Sequence, residues 1–401
     1  MLYIICSTAF SYGTLRMLNT YGLYFFFGVS IVNIILRKRI KLNAAMVSII
    51  LYMMLMLIGL LYTPTAAKRA EDVMYKYITM AILVFCVVQY IDSLQDIKNI
   101  LFGYMLAGLA LAIYVYAQYG SEFWILMQKA AEYDSGHIDR LGSGLTNANT
   151  IGIYTMFSAM IAAYYIIFDR NSKLKTLFCL LVGVFCFLVS MAAASKKSVL
   201  IMVLACVCFW LYNAMGNRKV GEQIRNLLIL FGCVILFFWL INTMPIFSGI
   251  ATRMGSLFES LGGGSGTTSE VNRSAFMDTG IRVWLENFLF GAGTASSSYH
   301  LGVYAHNNFV ELLMNSGIIG LMLFYGAYPF TLVKYLRNAA AYKQHDKLPI
   351  LLFSIFVCIT VCGIALVYYY ERYEMMLMSV IISSVNIFDQ KQKLLSEEST
   401  V

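Results

Sequence analysis

The sequence predicts an all-helical protein that forms one membrane domain over residues 1–401. Of the 401 residues, 60% are hydrophobic and 12% are charged, whereas soluble domains usually carry about 25% charged residues. The apolar residues occur in long runs, and a run of about 20 is long enough to cross a bilayer. In lipid such runs must be helical, because every backbone polar group needs a partner within its own segment. The four prolines of the chain suit long helices.

About twelve apolar segments are candidate membrane spans. They lie roughly at residues 2–14, 21–36, 43–62, 73–91, 97–118, 148–168, 175–193, 198–213, 226–243, 307–332, 349–368 and 374–388. The basic clusters RKRIK, DRNSKLK, GNRKVGEQIR and KYLRNAAAYKQHDK connect spans that would share one side. Because cytoplasmic loops are rich in Lys and Arg, this side is predicted to be cytoplasmic, together with both termini.

Two connections on the predicted outer side are too long to be simple turns. They cover residues 119–147 and, between spans nine and ten, residues 244–306. The longer one contains an apolar stripe over 250–261, which predicts a helix lying on the membrane surface or against the bundle. A second short helix is expected over 273–291. The net charge of +8 is spread over short clusters between spans, so it indicates topology and no nucleic-acid partner.

Lys196 and Lys197 lie in the short SKKS turn on the predicted outer side. Two lysines there run against the topology rule. They either bind an anion such as a pyrophosphate or extend to lipid phosphates as ordinary interfacial lysines. Both interpretations stay open on the sequence alone.

The segment AHNNFVELLMNSGIIGLMLFYG begins span ten. Asn307 or the following Asn can cap the helix, and Glu311 lies one turn below. His306 precedes the helix, where it can act as a general base near neutral pH. The alternative is a histidine that simply lies at the interface.

Arginine binds phosphate through a planar fork of donors. Arg273 and Arg282 are nine residues apart, which is about 180° around a helix, so they point to opposite faces unless Gly280 interrupts the helix. Arg282 has Glu286 at i+4 as a partner, whereas Arg273 has no such neighbour. We therefore expect Arg273 to bind substrate and Arg282 to serve the structure.

The segment DRLGSGLTNANTIG leads into span six and carries Arg140, Asn147 and Asn149. These residues either contact substrate or act only as turn and cap residues. The sequence shows no carboxylate pair, Cys/His dyad or metal-ligand cluster.

Taken together, these motifs resemble the O-antigen ligase and surface polysaccharide polymerase family over roughly residues 139–332. The matching elements, in order, are GSGLTNANTIG, ASKKS, RSAFMDTGIRVWLENFLFGAG and AHNNFVELLMNSGIIGL. The last is the most specific. Two departures occur: Lys196 stands where the family has an arginine, and the family's proline before its Gly-x-Gly is absent.

The resemblance implies a GT-C-type fold in the bacterial inner membrane. It implies a metal-independent glycosyltransferase, without a cofactor, whose donor is an undecaprenyl-pyrophosphate-linked oligosaccharide and whose acceptor is a growing glycan. Lys196 and Arg273 would stabilise the departing pyrophosphate, and His306 would orient or deprotonate the acceptor hydroxyl. Substrate binding would involve Lys197, Arg140, Asn147, Asn149, Asn307, Glu311 and Arg282. Membrane lipid, a flippase and a chain-length regulator are the expected partners. A polymerase is favoured; a ligase that moves finished glycan to lipid or protein is the alternative, and a flippase fits less well.

Overall fold

A computed structural model describes residues 1–10, 15–129, 141, 147–169, 172–215, 220–261 and 268–398. The regular structure in these ranges is helical, without strands. The helices are α1 (Leu2–Ala9), α2 (Arg16–Arg37), α3 (Ala44–Gly59), α4 (Ala67–Val88), α5 (Leu94–Tyr119), α6 (Glu122–Lys129), α7 (Ala148–Phe168), α8 (Lys173–Ala192), α9 (Lys196–Ala214), α10 (Val220–Thr243), α11 (Ser248–Leu261), α12 (Thr268–Glu286), α13 (Ser296–Leu301), α14 (Asn308–Tyr325), α15 (Ala327–Arg337), α16 (Ala339–His345), α17 (Leu348–Cys362) and α18 (Arg372–Glu398).

Seven helical segments of the described chain are long and apolar enough to cross a membrane. They are α2, α5, α7, α8, α9, α10 and the combined stretch of α14 and α15. The helices α3 and α17 are apolar but shorter. The all-helical prediction is confirmed and is compatible with a multi-pass membrane protein, while the count of twelve spans and the GT-C-type fold stay predictions.

Side-chain caps explain where several helices begin. Asn43 accepts a hydrogen bond from Met46 N at the start of α3, and Ser172 accepts one from Lys175 N at the start of α8. Each cap satisfies an amide that has no partner within the helix.

The described residues form two compact units. The first consists of residues 1–26, 98–267 and 338–358. In it, α7 packs against α8 and α9. At Gly108 of α5, a Cβ would lie 1.9 Å from Ser158 Oγ of α7, so these two helices meet at a small residue. Close approach at small residues is typical of helix packing in membranes.

The predicted amphipathic helix is α11, which belongs to this first unit. It contacts α6, α8, α9 and α10. Ile250 and Met254 on its apolar stripe are buried, whereas Phe258 is exposed and lies edge-on to Phe238 at 6.1 Å between ring centroids. The packing interpretation is therefore confirmed for the first part of the stripe.

The second unit consists of residues 27–97, 268–337 and 359–401. In it, α3 contacts α14, and α18 contacts α3 and α4. Its core is aromatic: the rings of Tyr77, Phe324 and Tyr369 all lie within 6.0 Å of the Tyr52 ring between centroids. This unit carries most of the candidate site.

Candidate functional site

The helices α12 and α14 meet at Gly280. A Cβ at this position would lie 2.4 Å from Val310 Cγ1 and 2.9 Å from Met314 Sδ, so only a glycine permits this approach. Val283, Val310 and Met314 form a buried apolar cluster there with two alanines. The helix α12 runs through Gly280 without interruption, which confirms the continuity that the opposite-face prediction required.

Arg273 lies on the face of α12 that meets α14. Seven residues separate it from Gly280, which brings it back to within about 20° around the helix. Arg273 is half-buried, whereas Arg282, on the opposite face, is exposed. The predicted ion pair of Arg282 with Glu286 is wrong for the described chain: the guanidinium lies 3.5 Å from Thr279 Oγ1 instead.

His306 lies between two aromatic side chains. Its ring stacks on Phe276 of α12, with centroids 6.1 Å apart and an interplanar angle of 13°. The Tyr304 ring lies 4.1 Å away on the chain segment before it. His306 is half-buried and has φ +57°, a left-handed conformation that is uncommon for a side-chain-bearing residue. Such strain persists only where the surroundings enforce it, which is frequent at functional sites.

Glu311 stabilises the backbone next to His306. Its carboxylate is buried and accepts hydrogen bonds of 2.6 Å from Ala305 N and from Ser297 Oγ. Asn307 caps α14 as predicted, accepting from the amides of Phe309 and Val310. Both residues were predicted to contact substrate. Asn307 Oδ1 and the Glu311 carboxylate hold the segment that carries His306, and their contact with substrate stays a prediction.

Asn308, which sequence reasoning treated only as a cap, joins α14 to the segment before α18. Its Oδ1 accepts from the backbone amides of Tyr368 and Tyr369, and its Nδ2 donates to Tyr325 Oη at 2.9 Å. Its own amide donates to Gly363 O at 2.6 Å. The backbone that leads to Tyr370 and Glu371 is thereby held to α14, and both side chains interact electrostatically with Tyr304.

Glu371 is a candidate site residue that sequence reasoning missed. Burial raises the pKa of its carboxyl, while Lys76 and Arg372 act to lower it. Burial also raises the pKa of the Tyr304 hydroxyl. Arg273 lowers this pKa, and Glu371 raises it further. Arg273 and Glu371 therefore both lie close enough to Tyr304 to act on its hydroxyl electrostatically. The only signal in the sequence is the run YYYER at 368–372, whose position near His306 depends on tertiary contacts.

Further cations lie on α4 in the same unit. Lys76 Nζ lies 5.4 Å from the centroid of the Tyr370 ring, and Arg69 Nε donates to Ser298 Oγ at 3.3 Å. Both side chains are exposed. Arg69, Lys76 and Arg273 therefore lie in the same unit as His306, together with the carboxylates of Glu311 and Glu371.

A break in the backbone of α14 allows a neighbouring segment to pack against this helix. Gly317 has φ +64° and ψ −167°, so the helix is interrupted there, whereas the sequence predicts one continuous span over 307–332. The segment that contains Gly291, itself at φ +67°, packs into the break. A Cβ on Gly291 would lie 2.4 Å from Ser316 N, and one on Gly317 would lie 2.3 Å from Leu289 O. The FGAG and NSGIIG motifs thus fit together, and a side chain at either glycine would separate them.

The interruption exposes backbone groups that the neighbouring segment satisfies. Ile318 N donates to Phe288 O at 3.0 Å, and Ala292 N donates to Met314 O at 2.7 Å. Asn315 Oδ1 accepts from Ser296 Oγ and Ser297 N. Irregular backbone at membrane depth is tolerated where protein covers it in this way.

The first unit brings together the two other predicted elements. Ser195 Oγ donates to Asn149 Oδ1 at 3.0 Å, and α9 begins immediately afterwards at Lys196. Asn147 caps α7 through Asn149 N. Lys196 and Lys197 are both half-buried. The starts of α7 and α9 therefore lie side by side, with the two lysines at this edge of the unit.

Arg140, also predicted to contact substrate, lies outside the described residues. Within the described ranges, no three His, Cys, Asp or Glu side chains gather in a way that could hold a metal ion. A scan against models of known protein families finds no match, and a search of curated proteins finds none either.

Proposed function

We propose that this protein is a surface polysaccharide polymerase. It would join undecaprenyl-pyrophosphate-linked repeat units on the outer side of a bacterial cytoplasmic membrane. The observation that carries the proposal is the arrangement of His306 and Arg273. A half-buried histidine, stacked on Phe276, lies beside the helix face that carries a half-buried arginine.

The chemistry follows from these two side chains. In glycosyl transfer, an acceptor hydroxyl oxygen bonds to the anomeric carbon while the bond from that carbon to the pyrophosphate oxygen breaks. The acceptor loses a proton, which the neutral His306 imidazole accepts. The leaving group gains negative charge, which the Arg273 guanidinium stabilises. The resemblance assigns Lys196 to the same leaving group, and we retain that assignment as a separate prediction.

The buried residues around His306 support its role through position. Catalysis requires reacting groups to be held closely, and Glu311 fixes the residue that precedes His306. The charge of Arg273 also supports a phosphate-bearing donor, because it acts on Tyr304, whose ring lies 4.1 Å from that of His306.

A ligase that transfers finished glycan to a lipid or protein is the second candidate. It would use the same donor chemistry, so the site geometry favours neither, and the lysine turn favours the polymerase. A flippase is less well supported. Transporters often have broken spans at corresponding positions of two repeats, and the two halves of this sequence show no such matching pair.

We also propose that both termini are cytoplasmic. A cysteine introduced in the loop 244–306 of a cysteine-free variant should then react with an impermeant reagent in intact cells.

The decisive experiment deletes the gene for this protein in its native host and analyses the glycan that the host then makes. Loss of a polymerase leaves single repeat units on the final carrier, whereas loss of a ligase leaves long glycan on the lipid donor. Complementation with Arg273→Ala should fail. The matched Arg282→Ala, on the exposed face of the same helix, should restore long chains where protein levels are equal. Equal failure of both variants at normal protein levels would contradict the assignment of Arg273.

A further inference from the structure

A cavity lies in the second unit at the C-terminal end of α2, and the candidate site residues do not line it. Its volume is about 200 Å³, and its polar lining consists of Asn33, Arg37, Arg39, Lys41, Gln89 and Asp92. The share of one water molecule in the liquid is about 30 Å³. The cavity is therefore large enough for a small ionic group.

The lining carries an excess of positive charge. Arg37 Nη1 lies 2.5 Å from Asp92 Oδ2, Lys41 Nζ contacts Asp92 Oδ1, and Arg39 Nη2 lies 3.7 Å away. Three cations thus share one carboxylate, and two positive charges remain. The topology rule accounts for basic residues in this segment, and the cavity that they line is the additional feature.

The hydrogen-bond donors of the cavity are also incompletely used. Asn33 Nδ2 is buried and has no hydrogen-bond partner. A buried unpaired donor costs roughly 1–3 kcal/mol. The side chain of Gln89, in contrast, is fully paired. Its Oε1 accepts a hydrogen bond from Lys41 N, and its Nε2 donates to Lys41 O and Phe85 O. Surplus cations therefore line the cavity, and one residue of its wall carries an unpaired buried donor.

We propose that this cavity binds a phosphate ester. A phosphate has several acceptor oxygens, and it forms charge-assisted bonds to guanidinium groups such as those of Arg37 and Arg39. The ester comes either from the headgroup of an anionic phospholipid or from a soluble phosphate. The lipid source is favoured, because Ile35 and Leu36 beside the cavity are 65% and 75% exposed and can contact acyl chains.

The test uses the purified full-length protein, stripped of lipid in detergent. Dihexanoyl phosphatidylglycerol is titrated by calorimetry, with dihexanoyl phosphatidylcholine and inorganic phosphate as parallel arms. Arg39→Gln removes a cation while the two shorter ion pairs of Asp92 remain. Lys38→Gln is the matched control, since it removes the same charge from an adjacent residue that does not line the cavity.

We expect Arg39→Gln to weaken phosphatidylglycerol binding about tenfold or more, the loss of one charge-assisted bond, while Lys38→Gln changes it less than about twofold. Binding of phosphatidylglycerol but not of inorganic phosphate supports the lipid source, and binding of inorganic phosphate with the same Arg39 dependence supports the soluble one. Asn33→Asp places a carboxylate among the cations, so it should abolish binding while thermal stability is kept. The proposal is overturned if neither phosphatidylglycerol nor inorganic phosphate binds, if phosphatidylcholine binds as tightly as phosphatidylglycerol, or if Arg39→Gln and Lys38→Gln weaken binding equally.

Discussion

Replacing Gly280 with alanine tests how α12 is held against α14. The added Cβ would lie 2.4 Å from Val310 Cγ1, whereas carbon atoms in contact lie about 3.5–4.0 Å apart. The helices must therefore separate by about 1 Å, because the β-branched Val310 side chain is stiff and buried. Such overpacking costs about 1–3 kcal/mol, and the better helix propensity of alanine returns about 1 kcal/mol.

The separation moves Arg273 and Phe276 away from His306. A displacement of about 1 Å at a catalytic group can lower the rate about 100-fold. We therefore expect Gly280→Ala to reduce polymer formation by about that factor, while the free energy of unfolding falls by no more than about 2 kcal/mol. Polymerisation of a lipid-linked repeat unit and thermal unfolding of the same preparation measure the two quantities.

Two further variants separate displacement from a general effect of alanine. Gly255→Ala in α11 is the matched control, because its Cβ would meet no atom within 4 Å. Val310→Ala removes the obstructing Cγ1, so the double variant with Gly280→Ala should recover activity relative to Gly280→Ala alone. Full activity of Gly280→Ala, or an equal loss in Gly255→Ala, would refute the reasoning.

Three more predictions concern charged side chains. Lys196→Gln should lose most polymerisation activity, and Lys196→Arg should keep much of it. Lys197→Gln should be tolerated, because the next residue of a helix points about 100° away. Initial rates of polymerisation measure these effects, and a fully active Lys196→Gln would contradict the prediction. Lys343→Met should lower the thermal stability, because its Nζ donates to Tyr212 O and to two further carbonyls at the end of α9; unchanged unfolding would argue against this cap. Glu371→Gln should reduce the rate at least about tenfold and change the acidic limb of the pH–rate profile, to which protonation of His306 still contributes. Burial raises the pKa of the Glu371 carboxyl, so its charged form is lost as the pH falls. An unaltered profile would remove Glu371 from the reaction.

Local patterns predicted much of the fold. Apolar runs and cap residues such as Asn307 indicated where helices begin, and the nine-residue spacing of the two arginines predicted their opposite faces. These features depend on the helix period and on side chains within one turn. They are therefore readable without knowledge of the tertiary structure.

The remaining features depend on contacts between distant segments. Gly317 looks like an ordinary small residue in an apolar helix, and its left-handed backbone is required only because Leu289 O approaches it. Asn308 reads as a second cap, yet its Oδ1 bonds residues about 60 positions later in the chain. Glu371 likewise gains its surroundings from this link. No periodicity in the sequence encodes such pairings.

The most direct test of the proposed function is polymerisation by the purified protein. A synthetic undecaprenyl-pyrophosphate-linked repeat unit is incubated with the protein in EDTA, and the products are separated by length. We predict a ladder of longer glycans from the unaltered protein, and none from His306→Ala at equal amounts of folded protein. A ladder from His306→Ala, or a reaction that EDTA stops and magnesium restores, would contradict the proposed mechanism, and an inactive unaltered protein would contradict the polymerase assignment itself.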